Sequence, residues 1–598
     1  MALTGLLDLL AEEPTLAAAA SRALHGPHPL TVEVRDGAKS AVVGLLGRRA
    51  TRPLIVVTAE DGRAAELAHD IRMWTEARPV IHFPDPDQPA YSMLAIGGDV
   101  LAQRVAVLGH LSRVRQSGAS PAPVVVTSVR ALLRRLVPPD EFRTHFLSLS
   151  PGIAADLPDV VRRLAALGYE NTPLVERPGE FAHRGGIVDI FPPDARLPVR
   201  VDFFGDDIES VRHFDPDTQR SLGPASDVLL TPATEVPIWL GETVAGRLRE
   251  LELESLRPED RVVWRRHLEQ LEGNEYFDDA AFYTMSLMPE AASLFDYAPD
   301  ALVIVDEPDQ IAVAARDAET AAAANRERLT ANGELPARFA SPLFPGAAIL
   351  RNLDESQVQL TYVPGLPGED GSGRAVVEGF QAQPPYAGRL QHMAEDLLAL
   401  RDARARMLIV SYQGRRLRHL LAEQGVAAEV LERLDDPPRA GSVTIIAGTL
   451  AEGWRHGPSD LVLVSDAELF GRKRIRRIRR GARGVDRSFL ADLEKGDYIV
   501  HVEHGVGQFE GIVQMSEGSG EREYLAISYA GEDRLYVPVD QIGRVQKYVG
   551  MSERAPKLSR LGTADWTRAK KKAQQSAEEI AAELLDIYAA RELARGYA

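Results

Sequence analysis

At 598 residues with a hydrophobic content of 45%, the chain is long enough to form several domains with sizeable cores. It has no cysteine, which excludes disulfides, thiolate catalysis and cysteine-ligated zinc or iron–sulfur sites. A net charge of -18 means that any nucleic-acid binding has to be local. Because neither a signal-like N-terminus nor a long apolar run is present, we expect a cytoplasmic protein without membrane contact.

The N-terminal region alternates short apolar runs with helical spacing. Residues 53–58 and 123–128 indicate buried strands, and residues 64–74 between them have the periodicity of a helix. The pattern predicts a parallel α/β layer over residues 1–145.

The segment Glu33-Val-Arg-Asp-Gly-Ala-Lys-Ser40 stands where such a layer would carry a phosphate-binding loop. That loop requires glycines at its first and sixth positions, so that backbone N–H groups can close around phosphates. The chain has Glu33 and Ala38 there, and a carboxylate at Glu33 would repel a triphosphate. We therefore predict that Lys39 and Ser40 belong to a degenerate nucleotide site, with an ordinary strand-to-helix turn in its place.

Residues 146–232 contain the most informative stretch of the sequence. Near period-2 alternation around Val188 and Val201 predicts two strands of a small antiparallel sheet in an inserted α+β domain. We expect Arg184, Arg200 and Phe204 to project around the rim of this sheet. Arginines suit partner carboxylates, and an exposed phenylalanine suits an interface anchor. The alternative is that the two arginines only pair with nearby carboxylates, namely Asp202, Asp206 and Asp207.

After the insertion, residues 302–307 form an apolar strand that ends in Asp306 and Glu307. Motor ATPases hold magnesium with this pattern. Acidic residues at the ends of elements are also common caps, and without a phosphate loop the pair has nothing to act on. We favour a structural role, and predict that residues 1–145 and 233–365 form one split α/β domain.

A loop rich in glycine and proline at 364–373 leads into a second α/β domain, predicted over 375–470. Its candidate strands are 407–411, 443–447 and 461–465, and residues 415–425 have helical spacing. No catalytic constellation is recognisable in it. A basic linker follows at 471–487, in which residues 472–483 carry eight positive charges. Weak contact with nucleic-acid phosphates remains an open alternative for this linker.

Alternating strands with glycine turns predict a small bent β-barrel over residues 488–550. Its 11 acidic and 5 basic side chains disfavour phosphate binding and favour a protein partner. Residues 551–598 have a continuous apolar stripe at 3–4 spacing, which predicts a linker and one long C-terminal helix.

Several of these stretches resemble the transcription-repair coupling factor (Mfd) family. The insertion, over about 45 contiguous positions, resembles the UvrA-recruiting domain that this family shares with UvrB. The barrel resembles the family's RNA-polymerase-interacting domain, which is related to CarD-type (Tudor-like) regulators. The 375–470 domain resembles the third domain of the family, and the C-terminal stretch resembles a relay helix that leads into a DNA-translocating motor.

The resemblance implies two protein partners. UvrA would be bound through Arg184, Arg200 and Phe204. The RNA polymerase β subunit would be bound through Met515, on a strand after the Gly511-Ile512-Val513 turn, with Ile512 and Val513 supporting strand addition. It implies no catalytic residue, metal or cofactor in this chain. ATP, magnesium and double-stranded DNA would be used by motor domains that we expect to be missing from it.

Two other classes of protein remain as alternatives. A UvrB-type repair helicase would need phosphate binding at Lys39 and Ser40 and an aromatic DNA-gripping hairpin, whereas residues 84–91 are short and acidic. A CarD-type transcription regulator would explain the barrel alone, but not the long sequence that precedes it.

Overall fold

A computed structural model describes residues 3–470, 495–547 and Leu558, apart from short gaps. The gaps are 77, 94–95, 118–120, 206, 278, 355–356, 363–372, 387–388, 502–504, 518–519, 531–532 and 539–544. The basic linker at 471–487 and the predicted C-terminal helix therefore lie outside the described residues. The chain divides into two compact units, 1–478 and 479–598. Among the described helices, none combines the length and the apolar character needed to cross a membrane.

The first stretch of the chain alternates helices and strands as predicted. Its elements are α1 (Thr4–Ala11), α2 (Pro14–His25), β1 (Leu30–Glu33), α3 (Lys39–Arg49), β2 (Leu54–Thr58), α4 (Asp61–Arg72), β3 (Val80–Phe83), α5 (Gly98–Ser117), β4 (Val124–Ser128), α6 (Val129–Leu133) and α7 (Pro139–Thr144). A 3-10 turn at Asp36–Ala38 precedes α3.

The inserted segment is built around a six-stranded sheet. Its elements are β5 (Leu147–Leu149), α8 (Leu157–Ala166), β6 (Glu170–Asn171), β7 (Glu180–Arg184), β8 (Ile187–Ile190), β9 (Val199–Phe204), β10 (Asp207–Phe214), β11 (Ser221–Pro224) and β12 (Val228–Leu230). The strand order is β11-β10-β9-β8-β7-β6, with antiparallel pairing from β7 to β11. Alternate residues of β8 and β9 are buried on one face, which confirms the predicted antiparallel strands.

The chain then returns to the first layer. Its elements are α9 (Gly241–Arg249), α10 (Pro258–Glu272), α11 (Ala280–Leu287), α12 (Leu294–Tyr297), β13 (Leu302–Asp306), α13 (Pro308–Ala331), α14 (Gly346–Asp354), β14 (Gln357–Thr361) and β15 (Arg374–Val376), with 3-10 turns at Ile238–Leu240 and Leu253–Ser255. A seven-stranded, all-parallel sheet has the order β15-β1-β14-β13-β2-β4-β3. Strands from before and after the insertion therefore share one sheet.

A second, six-stranded sheet follows within the same compact unit. Its elements are β16 (Phe380–Ala382), α15 (Leu390–Asp402), β17 (Arg406–Val410), α16 (Gly414–Glu423), β18 (Ala428–Leu431), β19 (Val443–Ile446), β20 (Trp454–His456), β21 (Leu461–Ser465) and α17 (Asp466–Phe470). The order is β16-β20-β21-β17-β19-β18, and the four strands β21-β17-β19-β18 are parallel. One face of this sheet is covered by α15 and α16.

The other face of the second sheet shares a core with the first sheet. Leu408 and Leu463 of the second sheet belong to the same buried cluster as Val56 and Ile304 of the first. Helix α3 lies in this shared core, and all its residues from Lys39 to Gly47 are buried. The sequence predicts a separate domain over 375–470. In the structure its sheet packs on the first sheet, because each sheet has two apolar faces and both have to be buried.

The second compact unit contains a five-stranded antiparallel sheet. Its strands are β22 (Tyr498–His501), β23 (Gly505–Glu517), β24 (Gly520–Ser528), β25 (Arg534–Pro538) and β26 (Val545–Lys547), in the order β25-β24-β23-β22-β26. The coarse prediction of several α/β layers followed by a small β unit is confirmed.

Candidate functional sites

The degenerate nucleotide site lies at the carboxyl edge of the parallel sheet, where such folds place their ligands. The loop after β1 leads into α3. At the same edge, Asp306 is the last residue of β13 and Glu307 follows it. Residues that are more than 260 positions apart in sequence therefore come into contact. Glu307 has the left-handed backbone angle φ 58°, and this turn starts α13.

Lys39 is completely buried and pairs with three carboxylates. Its Nζ lies 2.6 Å from Asp306 Oδ1, 2.5 Å from Glu307 Oε1 and 3.1 Å from Asp36 Oδ1. Burial by itself lowers the pKa of Lys39, but the three carboxylates outweigh it, and the net pKa lies above the usual value.

A second cation completes the cluster. Arg63, on α4, donates from Nη2 to Asp36 Oδ1 at 2.8 Å and from Nε to Asp306 Oδ2 at 3.1 Å. The oxygens of Asp36, Asp306 and Glu307 lie within 4.8 Å of one another, a spacing that suits a metal ion. Lys39 and Arg63 supply positive charge to these oxygens in the place of an ion.

The remaining positions of the loop are also engaged. Ser40, the position that would ligate magnesium, is buried and its Oγ accepts a 3.1 Å hydrogen bond from Trp74 Nε1. Glu33 pairs with Arg374 of the neighbouring strand β15, and Ala38 is buried in the shared core. That the loop is a structural turn and not a nucleotide site stays a prediction.

The second sheet closes over this edge through the segment that joins β19 to β20. Ala451 N donates to both oxygens of the buried Asp70 carboxylate, at 3.1 and 3.3 Å. Thr449 Oγ1 lies 2.7 Å from His69 Nε2, and Glu452 pairs with Arg35 at 3.4 Å. A Cβ on Gly37 would lie only 3.2 Å from Glu452 Cβ. The turn at 36–38 is thus in direct contact with the second layer.

Arg184 and Phe204 lie at one end of the insertion sheet, on its outer face. Phe204, the last residue of β9, is 79% exposed, and Arg184, the last residue of β7, is also exposed. Between them in register is Ile187, an exposed apolar residue that faces Arg184 on one side and Asp202 on the other. Arg184 donates to the carbonyl of Pro173, beside the exposed Leu174. This end of the sheet combines one cation with three exposed apolar side chains.

Arg200 occupies a different position, in the middle of the same face. It faces Asp189 across the β8–β9 pair, with Nε 2.7 Å from Oδ1 and Nη2 2.9 Å from Oδ2. The hydrogen bond to Asp189 raises the pKa of Arg200 despite burial, and the guanidinium carbon lies 4.8 Å from the Phe214 ring centre. Only its Nη1, with a 3.4 Å contact to the carbonyl of Gln219, is loosely held.

Of the carboxylates expected to neutralise the arginines, Asp202 has other partners and Asp207 is exposed on β10. Asp202 binds Arg212 and Ser210, each at 2.5 Å, and Asp206 lies outside the described residues. Sequence reasoning missed Asp189, although strand alternation offered a signal, because the turn between β8 and β9 is long enough to leave the register open.

The predicted polymerase contacts lie on the long strand β23. The sequence predicted a turn at Gly511-Ile512-Val513. In the structure this segment is part of β23, with a register shift between Phe509 and Gly511. Gly511 has φ 135°, which a glycine adopts without strain, so the chain bends there without leaving the sheet. Met515 faces Arg522 of β24; the side chains of Met515 and Ile512 are outside the described residues, and Val513 is half-buried.

Within the described residues, part of β23 pairs with a neighbouring strand on one side only. Strand β22 pairs with β23 only from Gly505 to Gln508. The backbone N–H of Phe509 donates to the carbonyl of Asp497, which precedes β22. From Glu510 to Glu517, the pairing in the described part of the unit is with β24 alone. The backbone of residues 512–515 is therefore on an edge to which another strand could be added.

Comparisons with known proteins agree with these features. The model of the UvrB interaction domain matches residues 147–236, and the model of the CarD-like/TRCF RID domain matches residues 493–549. The chain is 27% identical over 602 residues to the transcription-repair-coupling factor of Bacillus subtilis (strain 168), and 27% identical over 603 residues to that of Staphylococcus aureus (strain USA300). Each match covers 95% of this chain and 49% of the relative, so the chain spans about half the length of these proteins. The predicted family resemblance is confirmed.

Proposed function

We propose that this chain is the recognition portion of a transcription-repair coupling factor. It binds RNA polymerase stalled at DNA damage through the β unit and recruits UvrA for nucleotide excision repair through the insertion. The observation that carries the proposal is the exposed end of the insertion sheet, where Phe204 is 79% exposed. An aromatic side chain with this exposure suits a binding anchor better than a core position.

The UvrA contact combines an anchor with a charge. Phe204, Ile187 and Leu174 supply apolar area, and Arg184 supplies a guanidinium that can form a bidentate pair with a carboxylate. Arg200, the third predicted contact, binds Asp189 through Nε and Nη2, so only its Nη1 is available to a partner. Its larger contribution is to hold β8 and β9 in register beneath the contact surface.

The double variant Arg184→Ala, Phe204→Ala should weaken UvrA binding by at least about 30-fold, the loss expected for a hot spot worth about 2 kcal/mol. Leu222→Ala is the matched control, since Leu222 is an exposed apolar residue on β11 of the same sheet. Biolayer interferometry with immobilised UvrA measures both. Equal binding by the double variant and the control would refute the surface, and a parallel loss of polymerase binding would refute two separate sites.

The polymerase contact uses the open edge of β23. We propose that a strand of the polymerase β subunit adds to residues 512–515, with Met515 as the apolar contact and Ile512 and Val513 beside it. Methionine is flexible and polarisable, and fits irregular apolar contacts.

Met515→Arg should reduce polymerase binding by at least about 30-fold, because it places a charge in a contact that excludes water. Tyr536→Arg is the control, since Tyr536 is exposed on β25, two strands away in the same sheet. Interferometry against core polymerase gives the affinities, and circular dichroism checks that both variants are folded. Unchanged binding by a folded Met515→Arg variant would exclude this edge as the dock.

We propose that the chain itself hydrolyses no ATP. The engaged positions of Lys39, Ser40 and Arg63 support this, and they disfavour the UvrB-type helicase. The family resemblance implies that ATP-driven translocation on double-stranded DNA, with magnesium, is carried out by motor domains outside the part of the relatives that this chain spans. Weak DNA contact through residues 472–483 remains part of the proposal.

A further inference from the structure

Helix α16 of the second sheet presents a basic face to solvent. The exposed basic residues on it are Arg415, Arg416, Arg418 and His419. At 3.6 residues per turn, Arg415 and His419 lie opposite Leu417 and Leu421, which are buried against the sheet, and Arg416 and Arg418 lie on either side of that exposed line. Tyr412, just before the helix, is 50% exposed.

The three arginines of this face have no partner among the described residues. Within the described residues, no ion pair or side-chain hydrogen bond joins them to a carboxylate. Three other arginines of residues 375–470 are paired with one, namely Arg401 with Asp402, Arg433 with Asp435 and Arg455 with Asp396. The acidic residue on the same side of α16, Glu423, lies 3.5 Å from His419 instead.

We propose that Tyr412 and the arginines Arg415, Arg416 and Arg418 bind the phosphate backbone of duplex DNA. Three like charges on one helical turn repel each other, and a polyanion relieves this repulsion.

The chemistry of the face suits the phosphates of DNA. Guanidinium groups form bidentate pairs with phosphate, and a tyrosine hydroxyl can donate a hydrogen bond to a phosphate oxygen. The net charge of -18 is no obstacle, because phosphate binding depends on a local basic patch. The site shares no residue with the two proposed protein docks.

The test measures binding of a fluorescent, random-sequence DNA duplex by the full chain, using anisotropy over a salt titration. The triple variant Arg415→Gln, Arg416→Gln, Arg418→Gln should bind roughly tenfold or more weakly at low salt. The slope of log affinity against log salt should fall by about 2–3, since each lost phosphate contact removes about 0.9. Tyr412→Ala should weaken binding with little change of slope.

A charge-matched control separates the face from the overall field. The variant Arg162→Gln, Arg249→Gln, Arg401→Gln removes the same charge from arginines that are already paired, and it should bind as the wild type does. Equal losses in both triple variants would overturn the proposal. So would a loss confined to a variant of the basic linker, Arg472→Gln, Lys473→Gln, Arg474→Gln. An α16 face that binds an acidic protein but no DNA would also overturn it.

Discussion

Replacing Lys39 by methionine should lower the free energy of unfolding by about 3–5 kcal/mol, the usual cost of removing one partner from a buried ion pair. Lys39 is fully buried, and its Nζ is the closest cation to both Asp306 and Glu307. Methionine keeps the volume but leaves the carboxylates short of one positive charge. Urea unfolding followed by tryptophan fluorescence measures the effect, because Trp74 and Trp454 stack at 6.3 Å in the same core.

Arg48→Met is the matched control for this prediction. Arg48 lies on the same helix, and its pair with Asp8 is at the surface, where ion pairs contribute about 0–1 kcal/mol. Manganese should partly restore the Lys39→Met variant, because Asp36, Asp306 and Glu307 have the spacing of a metal site. A Lys39→Met variant as stable as Arg48→Met would contradict the structural role of the lysine.

Asp70→Asn should stabilise the packing of the second sheet on the first at alkaline pH, by about 3 kcal/mol. Burial raises the pKa of Asp70 to about 7, and nearby Glu66 and Asp36 add to this. The hydrogen bond from Ala451 N and the charge of Arg63 act in the opposite direction. About three pKa units above the unfolded value correspond to roughly 4 kcal/mol as an upper bound.

The direction of the pH dependence follows from the raised pKa. The folded protein favours the neutral carboxyl group, so this contribution is fully present below the unfolded pKa, near 4. It is lost as the pH rises towards the folded pKa of about 7. An asparagine does not titrate and its oxygen can still accept from Ala451 N.

Unfolding midpoints of wild type and Asp70→Asn should therefore converge near pH 4, separate progressively as the pH rises to about 7, and stay apart above it. Asp61→Asn serves as the control, since Asp61 lies on the same helix but is more exposed. A constant difference between Asp70→Asn and wild type across this pH range would show that the carboxyl group does not titrate with the fold.

The sequence by itself determined the succession of layers. Apolar runs such as 302–306 and 443–446 are strands at the predicted places, because a buried parallel strand needs both of its faces apolar. The departures Glu33 and Ala38 from the phosphate loop were likewise readable, since that loop depends on local backbone freedom at fixed positions.

Only the tertiary structure decided which side chains of these elements pair with one another and which are buried. Lys39 meets Asp306 and Arg63 because parallel strands from distant parts of the chain end at one edge of a sheet. Strand register places Arg200 opposite Asp189. The pKa of Asp70 is raised because the second layer buries its carboxyl group. Charge partners and burial depend on contacts across the whole chain, whereas the periodicity of a strand or helix is a property of a few neighbouring residues.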